Sequence, residues 1–242
     1  MECSSDLAQV QYVFPELLVA GLLLRRYQRF LADVELEDGR VVTVHCPNTG
    51  SMLGCLEPGA PVYCSHRPAP RRRTHFTWEM ILVNGQWVGI NTFVPNEIIA
   101  RAAEMKALPL FQGTTQVRRE VRVAPHTRID LVLERPSGAL FVEVKNVTLV
   151  RDGVAQFPDA PTVRGVKHLR HLTARAASGQ AAAMVYVVQR QDAQGFAPAG
   201  DIDPTYAADY EQARTQGVAV LVVEARVTPQ QISLARTLPL VG

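Results

Sequence analysis

Asp130, Glu143 and Lys145 are the residues whose types and spacing can do chemistry together. They lie in two runs, Arg128-Ile129-Asp130-Leu131-Val132-Leu133-Glu134 and Leu140-Phe141-Val142-Glu143-Val144-Lys145, each alternating apolar and polar residues. Pro136-Ser137-Gly138 between them is turn chemistry, so the pair reads as an antiparallel hairpin. In that register Val142 and Val144 point into the core, and Glu143 and Lys145 project together from the opposite face, within reach of Asp130. Two carboxylates on adjacent strands form a hard oxygen site for a divalent cation, Mg²⁺ or Mn²⁺, and the lysine can orient or deprotonate a water. Alternating charge on a half-exposed strand also arises as a solvated salt-bridge face.

Asp, a gap of twelve residues, then Glu-x-Lys resembles the PD-(D/E)xK metal-dependent nucleases, with Ile129 where the motif name has proline. Further runs extend the resemblance: Arg26-Tyr27-x-Arg29-Phe30-Leu31-Ala32-Asp33-Val34, His45-Cys46-Pro47-Asn48-Thr49-Gly50, Asn146-Val147-Thr148-Leu149, Phe157-Pro158-Asp159-Ala160 and Thr162-x-Arg164-Gly165-x-Lys167-His168-Leu169-Arg170. Over nearly the whole chain these are similar to the sugar fermentation stimulation protein family. The resemblance implies an α+β protein, an OB-like small β-barrel followed by a restriction-endonuclease-like α/β domain. It also implies two functions from different classes. One is a metal-dependent nuclease hydrolysing DNA or RNA, in which Asp130 and Glu143 hold the metal and Lys145 positions the water. The other is a non-catalytic, non-specific DNA-binding regulator of sugar (maltose) metabolism. Glu120, on a preceding strand beside Arg122, is either a third acidic ligand, as in several nucleases of this type, or a partner for Arg118 or Arg122.

The elements that must position these residues follow from periodicity. Residues 1–11 carry little pattern and read as a mobile tail. Over 12–92 short strands dominate: 30–36 and 40–46 around Glu37-Asp38-Gly39, 60–65, then 80–83 and 87–91 around Asn84-Gly85. Such a barrel binds single strands by aromatic stacking with basic support, for which Arg26, Tyr27, Arg29 and the Arg71-Arg72-Arg73 loop beside His75, Phe76 and Trp78 are candidates. Tyr27, Phe30 and Trp78 serve equally well as core residues. Pro47-Asn48-Thr49-Gly50 is a turn with Gly50 expected at positive φ; Asn48 is either a ligand contact or a local Asx hydrogen-bonding residue.

After Thr92 the pattern changes to a second unit, 93–242. A helix opens at Pro95-Asn96-Glu97 with Ile98, Ala102, Met105 and Leu108 on one face. Strands 118–123, 129–134 and 140–145, a helix 162–177, a strand 184–189, a helix from Asp203-Pro204 to Gly217 and a strand 218–224 follow. At about 100° per residue, Arg164, Lys167, His168, His171 and Arg175 share one face of the 162–177 helix. Opposite an apolar face packed on the sheet, they form a cationic stripe suited to phosphate, or else a solvated helix surface.

A chain of 242 residues, 47% hydrophobic, can bury a sizeable core. Its longest apolar stretch, Leu17 to Leu24, is too short to span a bilayer, which points to a cytoplasmic protein without a membrane partner. Cys3, Cys46, Cys55 and Cys64 form no CxxC pair and read as reduced thiols rather than a zinc site. The net charge of +2 hides an asymmetry: between Arg118 and Arg175 eleven Lys and Arg face six Asp and Glu. The positive field thus surrounds the carboxylates, as a polyanion such as DNA or RNA requires. Oligomeric state, including a homodimer, is left open.

Overall fold

The computed structural model describes residues 4–68, 73–124 and 127–241. The chain opens with helix α1 (Ser4–Gln9) and strand β1 (Gln11–Val13). The barrel follows as β2 (Val19–Tyr27), β3 (Leu31–Leu36), β4 (Val41–His45), β5 (Pro61–His66), β6 (Phe76–Val83) and β7 (Gln86–Gly89). Its sheet order is β4-β3-β2-β5-β6-β7, and parallel pairing of Val44 with Phe76 and His45 with Thr77 joins β4 to β6, closing five strands into an OB-type barrel. The β6–β7 hairpin turns through Asn84 and Gly85, both at positive φ, the geometry Asn-Gly favours. Apolar residues at alternate positions fill the interior, among them Val34, Val44, Val62 and Trp78. Cys46, Cys55 and Cys64 are free and buried among them, and burial pushes the Cys55 thiol up to about 11.

Beyond the barrel come α2 (Phe93–Glu104), a 3-10 turn at Pro109–Phe111, β8 (Gln116–Ala124), β9 (Thr127–Glu134), β10 (Leu140–Val147), β11 (Leu149–Arg151), β12 (Val154–Phe157) and α3 (Val163–Ala177). The chain ends with β13 (Ala181–Val188), β14 (Gly195–Pro198), α4 (Pro204–Thr215), β15 (Ala219–Val227) and β16 (Gln231–Thr237). Seven strands form one sheet, ordered β1-β16-β15-β13-β10-β9-β8, in which β10, β13 and β15 run parallel. A parallel core is covered on both faces. On one side α2 packs Ile98, Ile99 and Ala102 over Leu131, Val142, Val144 and Val185, joined by Met80 of the barrel. On the other, α3 and α4 place Leu169, Leu172, Tyr206 and Tyr210 over Val132, Met184 and Tyr186. No helix among the described residues is long and apolar enough to cross a membrane.

Three expectations are corrected here. Residues 1–11 are not a loose tail throughout: Leu7 and Val10 are buried, and β1 pairs antiparallel with β16 at the edge of the large sheet. Hydrophobic burial at two positions outweighs the shortness of α1. The helix expected from Pro95 starts at Phe93 and ends at Glu104, leaving Met105 exposed and Leu108 buried beyond its end. Gly50 does not adopt positive φ; its lack of a side chain serves a close approach instead, because a Cβ there would stand 2.7 and 2.8 Å from the Asp159 carboxylate oxygens.

Candidate metal centre and interdomain cleft

The centre forms where the β9–β10 ladder ends. Backbone pairing runs through Leu140–Leu133, Phe141–Val132 and Val142–Leu131. One step further the strands part and two carboxylates substitute for the missing ladder. The Asp130 amide donates to Glu143 Oε2 at 3.3 Å, and the Val144 amide donates to Asp130 Oδ2 at 2.9 Å. β10 keeps its other neighbour, since its parallel pairing with β13 continues to Val147. The acidic pair is thus fixed by backbone rather than by loop conformation.

Glu143 was expected on an open face of the hairpin, yet it is 0% exposed, because α3 covers that side of the sheet. A buried carboxylate needs a compensating charge or donors. Lys145 Nζ lies 3.8 Å from Glu143 Oε1, and His168 Nδ1 touches the same oxygen and lies 3.0 Å from Lys145 Nζ. The His168 contact lacks hydrogen-bond geometry, so Glu143 Oε1 keeps no oriented donor. Asp130 is pushed up to about 7, first by burial and then by the adjacent Glu143 carboxylate. His168 is pushed down to about 3 by burial, with Lys145 and Arg164 adding to the effect, and stands as a neutral imidazole.

A divalent cation fits this donor set. Two carboxylates are adjacent, one with a buried oxygen lacking a donor and the other raised first by burial and then by the charge of its neighbour. Among the described residues no group of three His, Cys, Asp or Glu side chains is arranged to hold a metal. A pair of carboxylates completed by waters and a phosphate is the Mg²⁺ mode of binding, whereas an all-protein cage is not needed. Glu120 falls opposite Asp130 in the β8–β9 register, between the Arg119–Leu131 and Val121–Ile129 pairs. Its positive φ of 52° interrupts the strand there, and its carboxylate is exposed and 3.5 Å from Arg128, not paired with Arg118 or Arg122 as one alternative held. Arg118 instead pairs with Glu134 at 3.2 Å.

Asp130, with Glu143 buried beside it, lines a cleft of about 800 Å³ between the barrel and the α/β domain. Arg26, Arg29, Asn48, Glu120, Asp130, Lys145, Arg164 and His168 all line it. Several of these are already engaged. The Arg26 guanidinium donates to the carbonyls of Arg29, Asn48 and Gly50 at 2.6–3.0 Å, so it clamps the 48–51 turn. Asn48 accepts the Gly50 amide at 2.8 Å, the local Asx alternative. That turn is stitched across the cleft: the Asp159 carboxylate accepts the Met52 amide at 2.7 Å, and Ser51 Oγ donates to the Asp159 carbonyl. A second stitch is the Gly89 amide, which donates to the Gln189 carbonyl at 2.9 Å.

Other expected contacts lie elsewhere. Tyr27 does not line the cleft; its hydroxyl meets Asp33 at 3.0 Å and the Arg25 guanidinium sits over its ring. Trp78 is fully buried in the barrel and Phe30 is exposed, so the core alternative holds for one and not the other. Arg71 and Arg72 lie outside the described residues, and Arg73 is exposed. The cationic stripe of α3 is divided. Arg164 and His168 face the cleft, His171 lies 3.4 Å from Thr127, Arg175 stacks on Phe141, and Lys167 lines a separate shallow depression. Sequence reasoning assigned no role to Phe93, Asn96, Asn146, Gln156 and Asp159, all of which line the cleft. The only signal for any of them was the run of family-like residues around Asn146 and Asp159.

Comparison with known proteins agrees with this architecture. Residues 24–90 match the SfsA N-terminal OB domain, and residues 93–231 match the sugar fermentation stimulation protein RE domain. The chain is 48% identical to a sugar fermentation stimulation protein homolog of Geobacter sulfurreducens, over 95% of this chain and 99% of that protein. It is also 48% identical to one of Rhodospirillum centenum, over 94% and 98%. The solved structure of Pyrococcus furiosus SfsA in complex with Ca²⁺ is 26% identical and superposes with a TM-score of 0.87 over 96% of this chain and 98% of that one. Both matched domains, in this order and across nearly full-length relatives, make the chain a member of the sugar fermentation stimulation protein family.

Proposed function

We propose that the protein is a divalent-metal-dependent nuclease that hydrolyses phosphodiester bonds of DNA or RNA in the interdomain cleft. The observation that carries this reading is the wholly buried Glu143, with an oxygen lacking a donor, set behind Asp130 and Lys145, which line the cleft. A pure nucleic-acid binder gains nothing from such a pair, because carboxylates repel phosphate unless a cation intervenes. That the Pyrococcus furiosus relative forms a complex with Ca²⁺ supports divalent-cation binding by this chain, and Mg²⁺ or Mn²⁺ is the catalytic choice.

Asp130 and Glu143 would hold the cation, which when bound supplies charge for a nonbridging phosphate oxygen and acidifies a water. The chain's own residues do the rest. Lys145, held by its neighbours Glu143 and His168, orients the attacking water and donates to the phosphate. His168, neutral, spans the two cations: its Nδ1 meets Lys145 and its Nε2 accepts from Arg164 Nε at 3.4 Å, which holds a permanent cation where phosphate charge builds up. Incubating the purified protein with end-labelled DNA and RNA in Mg²⁺, in Mn²⁺ and in EDTA tests the reading. Cleavage with metal and none in EDTA is expected. Cleavage that persists in EDTA, or binding without cleavage in any metal, contradicts it, and the latter outcome favours the non-catalytic regulator of sugar metabolism.

A further inference from the structure

The cleft walls differ from its floor. Phe93 lines the cleft at the start of α2 and is 66% exposed, although the rest of that turn buries Val94 and Pro95. A ring left this far out of the core gains nothing for folding. Pro47 and Pro158 back the wall but are buried, while Asn96 and Gln156 supply amides, as does Asn146 through its NH₂, its Oδ1 accepting from Gln189 at 2.8 Å. Gln156 Oε1 is buried and has no hydrogen-bond donor, an acceptor that a ligand N–H would satisfy.

These walls match bases, not phosphates. A duplex turns its phosphates outward and its base edges inward, so a wall built to receive it would be lined by cations. Here Arg26 is spent on four carbonyls, which leaves Arg29, Lys145 and Arg164 as the Lys and Arg side chains lining the cleft, and the last two lie beside the acidic pair rather than along the walls. An unpaired strand offers ring faces for an aromatic and base edges for amides. The volume of about 800 Å³ lies within the range of pockets that enclose a single drug-sized ligand, comparable to a nucleotide or two. From these observations we infer that the cleft takes single-stranded nucleic acid, with a base stacked on Phe93 and its edge read by the amides including Gln156, which places the adjacent phosphate over Asp130 and Glu143.

This rests on the nuclease reading for its cleavage geometry but is tested without cleavage. Binding of the full chain in EDTA, at one fixed salt concentration, is measured for short labelled DNA and RNA oligonucleotides, single-stranded and as blunt duplexes of the same sequence. Single strands of at least one sugar type are expected to bind tenfold or more tighter than the duplexes. Phe93→Ala is expected to weaken single-strand binding about tenfold and leave duplex binding unchanged, and Phe93→Tyr to restore it. Because Phe93 is exposed, the alanine variant should melt like the parent; should it not, the comparison of strands on the parent protein decides alone. Equal or tighter duplex binding, an unaffected Phe93→Ala, or no binding of either form overturns the inference. Failure of the nuclease reading would look different: single strands bound through Phe93, and no cleavage in metal.

Discussion

Asp130 and Glu143 grip each other's strands: Glu143 Oε2 accepts the Asp130 amide at 3.3 Å while Asp130 Oδ2 accepts the amide of Val144, 2.9 Å away. The two side chains replace backbone pairing at the point where β9 and β10 part, so the opening between the strands and the carboxylates that would hold a cation share one cause.

The first prediction is a pH dependence. The Asp130 carboxyl is pushed up to about 7, above its unfolded value, so the folded metal-free protein binds a proton there that the unfolded chain releases. That contribution to stability is full below about pH 4 and is lost as pH rises through about 7. Asp130→Asn, which removes the charge and keeps an oxygen for the Val144 amide, is expected to raise the melting temperature by a few degrees at pH 8 and little at pH 4. Cation binding works in the opposite direction, since it needs the ionised form. Mg²⁺ or Ca²⁺ affinity, measured by calorimetry, is expected to fall about tenfold for each pH unit below about 7.

The second concerns the stitch across the cleft. Asp159→Ala strips the Met52 amide of its acceptor, at a cost of about 1–3 kcal/mol in urea unfolding. Gly50→Ala should be at least as harmful, because its Cβ would press into the Asp159 carboxylate at 2.7 Å. Either variant is expected to slow cleavage while leaving the acidic pair intact, as misplacement of the barrel loop shifts the substrate and not the ligands.

How much of this was legible in the sequence depends on where the information lay. Period-two alternation brought Asp130, Glu143 and Lys145 together correctly, since register within one hairpin is local. It misjudged the environment of Glu143, because cover on the second face comes from α3, a later element. The strand β16 was missed, since Gln231–Thr237 buries three consecutive residues, Ile232 to Leu234, rather than alternate ones, and with it the reason β1 exists at all, as the two pair across almost the full chain length. Arg26 looked like a free cation; only the folded 48–51 turn reveals that its donors are consumed by carbonyls. Phe93 stood in no periodic pattern, so its exposure at the cleft required both domains to be in place.

A third prediction separates clamp from contact. Arg26→Ala is expected to destabilise the protein by about 1–3 kcal/mol and leave the salt dependence of nucleic-acid binding nearly unchanged, because its donors face carbonyls. Arg164→Ala is expected to do the reverse, sparing stability and lowering the log-log salt slope by about 1. Denaturation and binding titrations in a salt series on the two variants provide the check.

Cleavage in the cleft requires that Asp130 and Glu143 hold a cation. The direct measurement is calorimetric titration of Mg²⁺ or Ca²⁺ into the parent, Asp130→Asn and Glu143→Gln proteins at pH 8, with cleavage of labelled DNA and RNA followed on the same preparations. The expected result is saturable binding by the parent that is lost or greatly weakened in both variants, with cleavage falling by orders of magnitude in step while both variants still melt cooperatively. Unchanged cation binding in the variants, or cleavage at the parental rate by either, would contradict it.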